Sequence, residues 1–155
     1  MLSRQDAKKL EAQARGRTRE QNAAICYRIE DDQLEVLMIT TRGTGQWLLP
    51  KGWPMPGKKA SQTAAIEAWE EAGVKGRVHP REIGRFFYLK VIDESQSIPC
   101  IVTVHAIEVT ELADDFPEKG QRRRKWLTPR KAASKVEVPG LALLLRKFDR
   151  KSLNR

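Results

Sequence analysis

The 155-residue chain predicts a single-domain α/β fold, a sandwich of helices about a mixed β-sheet. Two apolar, β-rich runs at residues 23–29 and 34–40 are separated by the polar stretch Glu30-Asp31-Asp32-Gln33, the pattern of a hairpin with antiparallel pairing. A helical pattern at 59–72 interrupts the strands, and further strand-like runs follow it. Hairpins combined with helices give a mixed sheet, where strict βα alternation would give a doubly wound parallel one. A chain of this length buries about two-thirds of its unfolded surface, enough for an independent core. No internal repeat or low-complexity linker divides it.

Residues 1–20 are helix-forming yet polar on nearly every side, which predicts an N-terminal charged helix or arm beside a main domain at 21–150. After the hairpin, a Gly-bearing loop at 42–46 leads through Trp47-Leu48-Leu49 into a Pro/Gly-dense stretch at 50–57. The Ala-rich segment at 59–72 is the strongest helix former, and Gly73 supplies a left-handed stop. Strands are expected at 83–91 and 101–109, followed by a loop holding Asp114, Asp115, Glu118 and Gly120. A short strand at Lys125-Trp126-Leu127 comes next. Pro129 and Pro139 each open a helix, the second reaching about Phe148.

Against 20 Asp and Glu stand 29 Lys and Arg, a net charge of +9. That field favours anionic partners: nucleic acid, a polyphosphate or an acidic lipid surface. With no run of about 18 apolar residues and no apolar secretory-type segment in the first twenty, neither a membrane span nor a signal is expected, and the cytoplasm is the expected location. The charged surface segments favour a monomer over a dimer. Cys26 and Cys100 sit in apolar runs, as buried thiols do, and are too few for a disulfide framework or zinc site. Trp47 and Trp126 end strand-like runs, as core aromatics do, and Trp69 falls on the helix side assigned to packing. His79 and His105 lack metal-ligand spacing.

The acidic residues of the helix carry the chemistry. With about 100° of turn per residue, Glu67, Glu70 and Glu71 share an arc of roughly 100°. Ala65, Ala68, Trp69 and Ala72 fall on the opposite side, so one face can pack while the other gathers carboxylates. Like charges at i,i+4, such as Glu67 and Glu71, cost an isolated helix roughly 0.2–0.5 kcal/mol. Two readings are compatible with this pattern: a solvated acidic face, or a site where a hard divalent cation reverses the penalty.

Residues 52–74 resemble the Nudix box, G-x5-E-x7-R-E-U-x-E-E-x-G-U with U a bulky apolar residue. Gly52, Glu67, Glu70, Glu71, Gly73 and Val74 are in register, and Ala68 fills the first U position with a smaller side chain. The likeness continues in AAICYR, VLMITTRGTGQWLLPKG, EEAGVKG and GQRRRKWLTP. Over residues 20–149 it is strongest to the diphosphoinositol-polyphosphate and diadenosine-polyphosphate phosphohydrolase branch. The resemblance implies a Nudix-type α/β/α sandwich that hydrolyses a phosphoanhydride bond in a phosphorylated small molecule, by attack of water at phosphorus. It implies Mg²⁺ or Mn²⁺ as cofactor, held by Glu67, Glu70, Glu71 and the carbonyl of Lys51, with Glu67 or Glu71 also able to act as general base. Glu118 is the candidate for a further carboxylate from a distant loop.

Arg42, Lys51, Gly52 and Lys58 flank this segment and are the candidates for binding substrate phosphates, with Trp53 as a mobile contact. The run Arg122–Lys125 is read as a solvated face, because alternate strand residues cannot all turn to one site. Two box positions depart from the pattern: Lys58 stands where the first glutamate belongs, and Ile66 where the arginine belongs. Gln21 and Asn22 occupy positions that are basic in the inositol-acting relatives, which favours a dinucleoside polyphosphate over a diphosphoinositol polyphosphate. Removal of 5′ pyrophosphate from RNA, suggested by the +9 charge, is one alternative. A degenerate domain that binds nucleotide or RNA without hydrolysis, suggested by Lys58 and Ile66, is the other.

Overall fold

In the computed structural model, which describes residues 18–154, the first strand fixes the layers. Strand β1 (Arg19–Glu30) is buried from Gln21 to Tyr27 without alternation, as a strand covered on both faces must be. Its alternate residues divide the core in two. Ala23, Ile25 and Tyr27 join one apolar cluster with Phe86, Val102, Val104, Leu141, Leu145 and Phe148. Ala24 and Cys26 join another with Leu37, Ile39, Ala64, Ala68 and Ala72. Period-two side-chain alternation thus becomes a helix–sheet–helix sandwich. The expected helical arm lies outside the described residues apart from its last positions, and Arg19 and Glu20 belong to β1.

The other strands are β2 (Gln33–Thr40), β3 (Trp47–Leu48), β4 (Lys51–Gly52), β5 (Val74–Val91), β6 (Ser97–Leu112) and β7 (Arg124–Leu127). The sheet runs β3-β2-β1-β6-β5, with β4 beside the start of β1 and β7 beside β2. β1 and β6 are parallel, from Arg19 against Cys100 to Tyr27 against Glu108. The remaining pairs are antiparallel. Asp31 and Asp32 turn the first hairpin with φ of 49° and 64°, a left-handed pair that Asp tolerates better than most residues.

Helix α1 (Ala60–Ala72) covers one face, and α2 (Pro129–Lys135) with α3 (Pro139–Lys147) covers the other, followed by a 3₁₀ turn at Arg150–Asn154. Ala64, Ala68 and Ala72 form a four-residue repeat of small side chains that brings α1 close to the sheet. The long strands exceed the sequence expectation: β5 starts at Val74 rather than near residue 83, and β6 ends at Leu112. Gly76 and Pro80 hide the first half of β5, since both normally break strands. Here β5 is an edge strand whose register shifts at Lys75/Gly76 and between Val78 and Gly84, so the missing Pro N–H interrupts no inner ladder. Both cysteines are buried and free, as the sequence led us to expect.

Candidate functional site

Two short features present the glutamates. At the start of α1 the Gln62 side chain accepts the Lys59 N–H at 2.8 Å. At its end Gly73 adopts φ 72° and returns its own N–H to Trp69. The helix then lies against β4, and Lys51 N–H donates to Glu71 Oε1 at 3.3 Å. Gly52 makes the closest approach. A Cβ built there would collide with the Glu67 carboxyl group, so the carboxyl occupies the space a side chain would take. The box glycine is therefore a cradle for the first glutamate.

The carboxylates do not stand opposite the packing face, as the helical wheel suggested. Glu71 is only 7% exposed, at the margin of the buried face, while Glu67 and Glu70 are half-buried beside it. Trp69, expected to pack inward, is half-buried outside both core clusters with Lys75 Nζ 5.0 Å above its ring. Burial pushes the Glu67 carboxyl up to about 8, helped by a hydrogen bond to Glu71 and by the charges of Glu71, Glu70 and Glu118. Glu71 is also raised by burial, against its hydrogen bond with Glu67 and the opposing pull of Arg122 and Lys51.

These side chains form one wall of a cleft of about 620 Å³, lined also by Gln21, Arg42, Lys51, Gly52, Trp53 and Tyr88. Glu118 reaches it because the loop after β6 docks on α1, with Glu118 N–H donating to Glu70 O at 3.0 Å. On the other side Lys51 Nζ lies 5.1 Å from the Tyr88 ring centre. Burial, then the neighbouring charge of Lys90, pushes Lys51 down to about 8. Trp53 is held between Arg19 and Lys90, at 4.7 and 6.0 Å from its ring. Leu89 and Val91, 56% and 69% exposed, continue the rim beyond it. Lys58 is not brought in: it is exposed and absent from the lining.

The run Arg122–Lys125 is not a uniformly solvated face. Arg122 and Arg124 turn inward and Arg123 and Lys125 outward, with the alternation of an extended chain. Arg124 Nη1 donates to Ala72 O and Ala113 O, each at 2.9 Å. Trp47 and Trp126 pack against the core clusters as expected, each half-buried with a cation over its ring, Arg123 at 5.2 Å and Arg28 at 4.2 Å. Sequence reasoning missed Tyr88, Lys90 and Arg122 as cleft residues. Arg122 precedes β7, and no local signal in the sequence singles it out.

Among the described residues no three His, Cys, Asp or Glu side chains are grouped so as to hold a metal ion by themselves. Mg²⁺ needs no such group, because it keeps several waters and takes one or two carboxylates. Glu67 and Glu71, with Glu70 lining the same cleft, offer hard oxygen donors with a surplus of negative charge, a donor chemistry that fits Mg²⁺ or Mn²⁺. A larger concavity of about 950 Å³ lies between the β5 bulge and α3. It is lined by Ile83, Leu143 and Leu144 among basic residues, and its two carboxylates are already engaged, Glu82 by Arg85 and Asp149 by the Ser152 N–H.

A family model described as the NUDIX domain matches residues 19–148. Rat diphosphoinositol polyphosphate phosphohydrolase 2 is 33% identical over 106 residues, covering 67% of this chain and 55% of that protein. Nudix hydrolase 12, mitochondrial, of Arabidopsis thaliana is 30% identical over 122 residues, covering 77% and 60%. The chain spans a little over half the length of these curated relatives. Among solved structures, a C. elegans Ap4A hydrolase aligns with a TM-score of 0.63 at 20% identity, over 84% of this chain and 96% of that one. The NUDIX domain of Shewanella oneidensis NrtR, complexed with ADP ribose, aligns at 0.58 and 15% identity, over 82% and 84%. At these identities the likeness is one of fold.

Proposed function

Given that this chain belongs to the NUDIX family, we propose that it is a metal-dependent pyrophosphohydrolase that cleaves a phosphoanhydride bond in a nucleoside diphosphate-linked compound, with a dinucleoside polyphosphate as the favoured substrate. The observation that carries this reading is the Gly52 cradle. It holds the Glu67 carboxyl beside Glu71, across a cleft from Lys51 and Lys90. A divalent cation bound there supplies charge neutralisation for the phosphates and lowers the pKa of an attacking water. Glu67, fixed against the Gly52 backbone, is placed to take a proton from that water. Lys51 and Lys90 face the phosphates, and an anion beside Lys51 favours its charged form.

The rim supports the finer choice of substrate. Trp53, Leu89 and Val91 give an apolar and aromatic mouth suited to a nucleobase. Gln21 is buried, and its Oε1 accepts the Tyr88 hydroxyl at 2.6 Å, so no cation enters from β1 at that point to meet a densely phosphorylated inositol ring. The test offers diadenosine tetraphosphate, a diphosphoinositol polyphosphate and 5′-triphosphorylated RNA to the full chain, with Mg²⁺, Mn²⁺ or EDTA, and reads product masses. Metal-dependent cleavage of the dinucleotide, abolished in Glu71→Gln, is expected. Preference for either of the other substrates corrects the substrate choice. No turnover of any of them would leave a nucleotide- or RNA-binding domain instead.

A further inference from the structure

The helix that carries the glutamates lacks a cation of its own beside them, because position 66 is Ile. Yet Glu71 is buried, and Glu67, Glu70 and Glu118 crowd the same volume. An ionised carboxylate in such a place needs a fixed counter-charge and donors. The Lys51 N–H supplies a donor, and Arg122 supplies the counter-charge. Its side chain is 12% exposed, and its Nη2 stands 3.9 Å from Glu71 Oε1. Nε and Nη2 donate to Glu118 Oε1 at 3.2 and 3.1 Å, and Nη1 donates to Thr40 O at 3.2 Å.

We propose that Arg122 is the positioning residue of the acidic site: anchored to the end of β2 and clamped to the Glu118 loop, it sets where the Glu71 carboxylate stands relative to Glu67, and it does not grip the substrate. The donor count supports this assignment. A guanidinium has five N–H groups. Three are engaged by Glu118 and Thr40, and a further one lies towards Glu71, which leaves little for a phosphate. Lys51, Lys90 and Arg42 line the same cleft and are available for that role. The fork geometry matters too, because an ammonium cannot hold the Glu118 carboxylate through two bonds while also facing Glu71. The assignment rests on the reading of the glutamates as ion-binding groups.

The experiment compares the wild-type full chain with Arg122→Gln and Arg122→Lys. Mn²⁺ affinity is measured by electron paramagnetic resonance titration, and kcat and KM with diadenosine tetraphosphate. Arg122→Gln should weaken Mn²⁺ binding about tenfold and lower kcat by about 10–100-fold, with KM changed less than about threefold. Arg122→Lys should recover only part of either loss. A KM raised tenfold with Mn²⁺ affinity unchanged makes Arg122 a substrate clamp and overturns the proposal, as does no change in either quantity. Should Arg122→Gln not fold, Arg122→Lys decides alone: Mn²⁺ affinity equal to wild type refutes the assignment. If the wild-type chain itself neither binds Mn²⁺ nor turns over, the functional reading fails separately. Crystal structures of metal-free wild type and variant then judge this claim, and an unmoved Glu71 carboxylate rejects it.

Discussion

Gly52→Ala isolates the cradle from the rest of the site. Glu67 Oε2 lies 2.8 Å from the Cβ that alanine would add, with two further carboxyl atoms closer still. An ordinary contact begins near 3.4 Å, so the carboxylate must retreat by at least about 0.6 Å. The displaced atoms are the far end of a flexible side chain, and Gly52 has no positive φ, so the backbone accepts alanine. The overpacking cost should therefore fall at the low end of the usual range, about 1 kcal/mol. Catalysis should suffer far more, because a misplacement approaching 1 Å costs on the order of 100-fold. The assay pairs thermal unfolding with kcat for diadenosine tetraphosphate, in wild type, Gly52→Ala, Glu67→Ala and the double variant. If alanine acts only by moving Glu67, the double variant is no worse than Glu67→Ala. Wild-type kcat in Gly52→Ala, or fully additive losses in the double variant, would refute the reasoning.

Three other outcomes follow from the same geometry. In metal-free protein Glu67 binds its proton more tightly folded than unfolded, so stability falls as pH rises from about 4.5 to about 8. Lys51 binds its proton less tightly folded, so stability recovers from about 8 towards 10.5. Thermal unfolding in EDTA should therefore show a trough near pH 8. Glu67→Gln should flatten its acid side, and a profile unchanged by that substitution counts against the assignment. Gly73→Ala places alanine at φ 72°, 2.7 Å from Phe116 Cδ1 and 2.9 Å from Ala113 O. Urea denaturation should give a loss of about 2–4 kcal/mol, against about 1–2 if the loop simply yields and only the left-handed backbone costs. Arg124→Met removes the donor shared by Ala72 O and Ala113 O and should cost about 1–3 kcal/mol in the same measurement.

Local pattern made much of this molecule legible. The first hairpin, helix α1 with its Gly73 stop, and the spacing of Glu67, Glu70 and Glu71 all follow from periodicity and turn chemistry within about twenty residues. The buried run of β1 also announced a strand. It could not announce that its partner is β6, because parallel pairing leaves no turn to read. The start of β5 was obscured by Gly76 and Pro80, tolerated at a bulged edge that only the assembled sheet defines. The acidic cluster was visible, whereas its counter-charge was not. Arg122 lies 51 residues beyond Glu71 in a run whose composition suggests a wet surface, and only the docking of the Glu118 loop turns it inward. Lys58 shows the converse, since it lies next to the cleft in sequence yet is exposed and outside its lining.

The parallel pairing of β1 with β6 has a consequence for biogenesis. Arg19 meets Cys100, 81 positions later, so the innermost ladder cannot close until most of the chain has left the ribosome. The hairpin and α1 can form early from neighbours in sequence, but the acidic cleft waits longer still, for the segment that brings Glu118 and Arg122. During that interval the β1 face that later packs on Leu141, Leu145 and Phe148 lies uncovered, and it is the surface most exposed to misassociation.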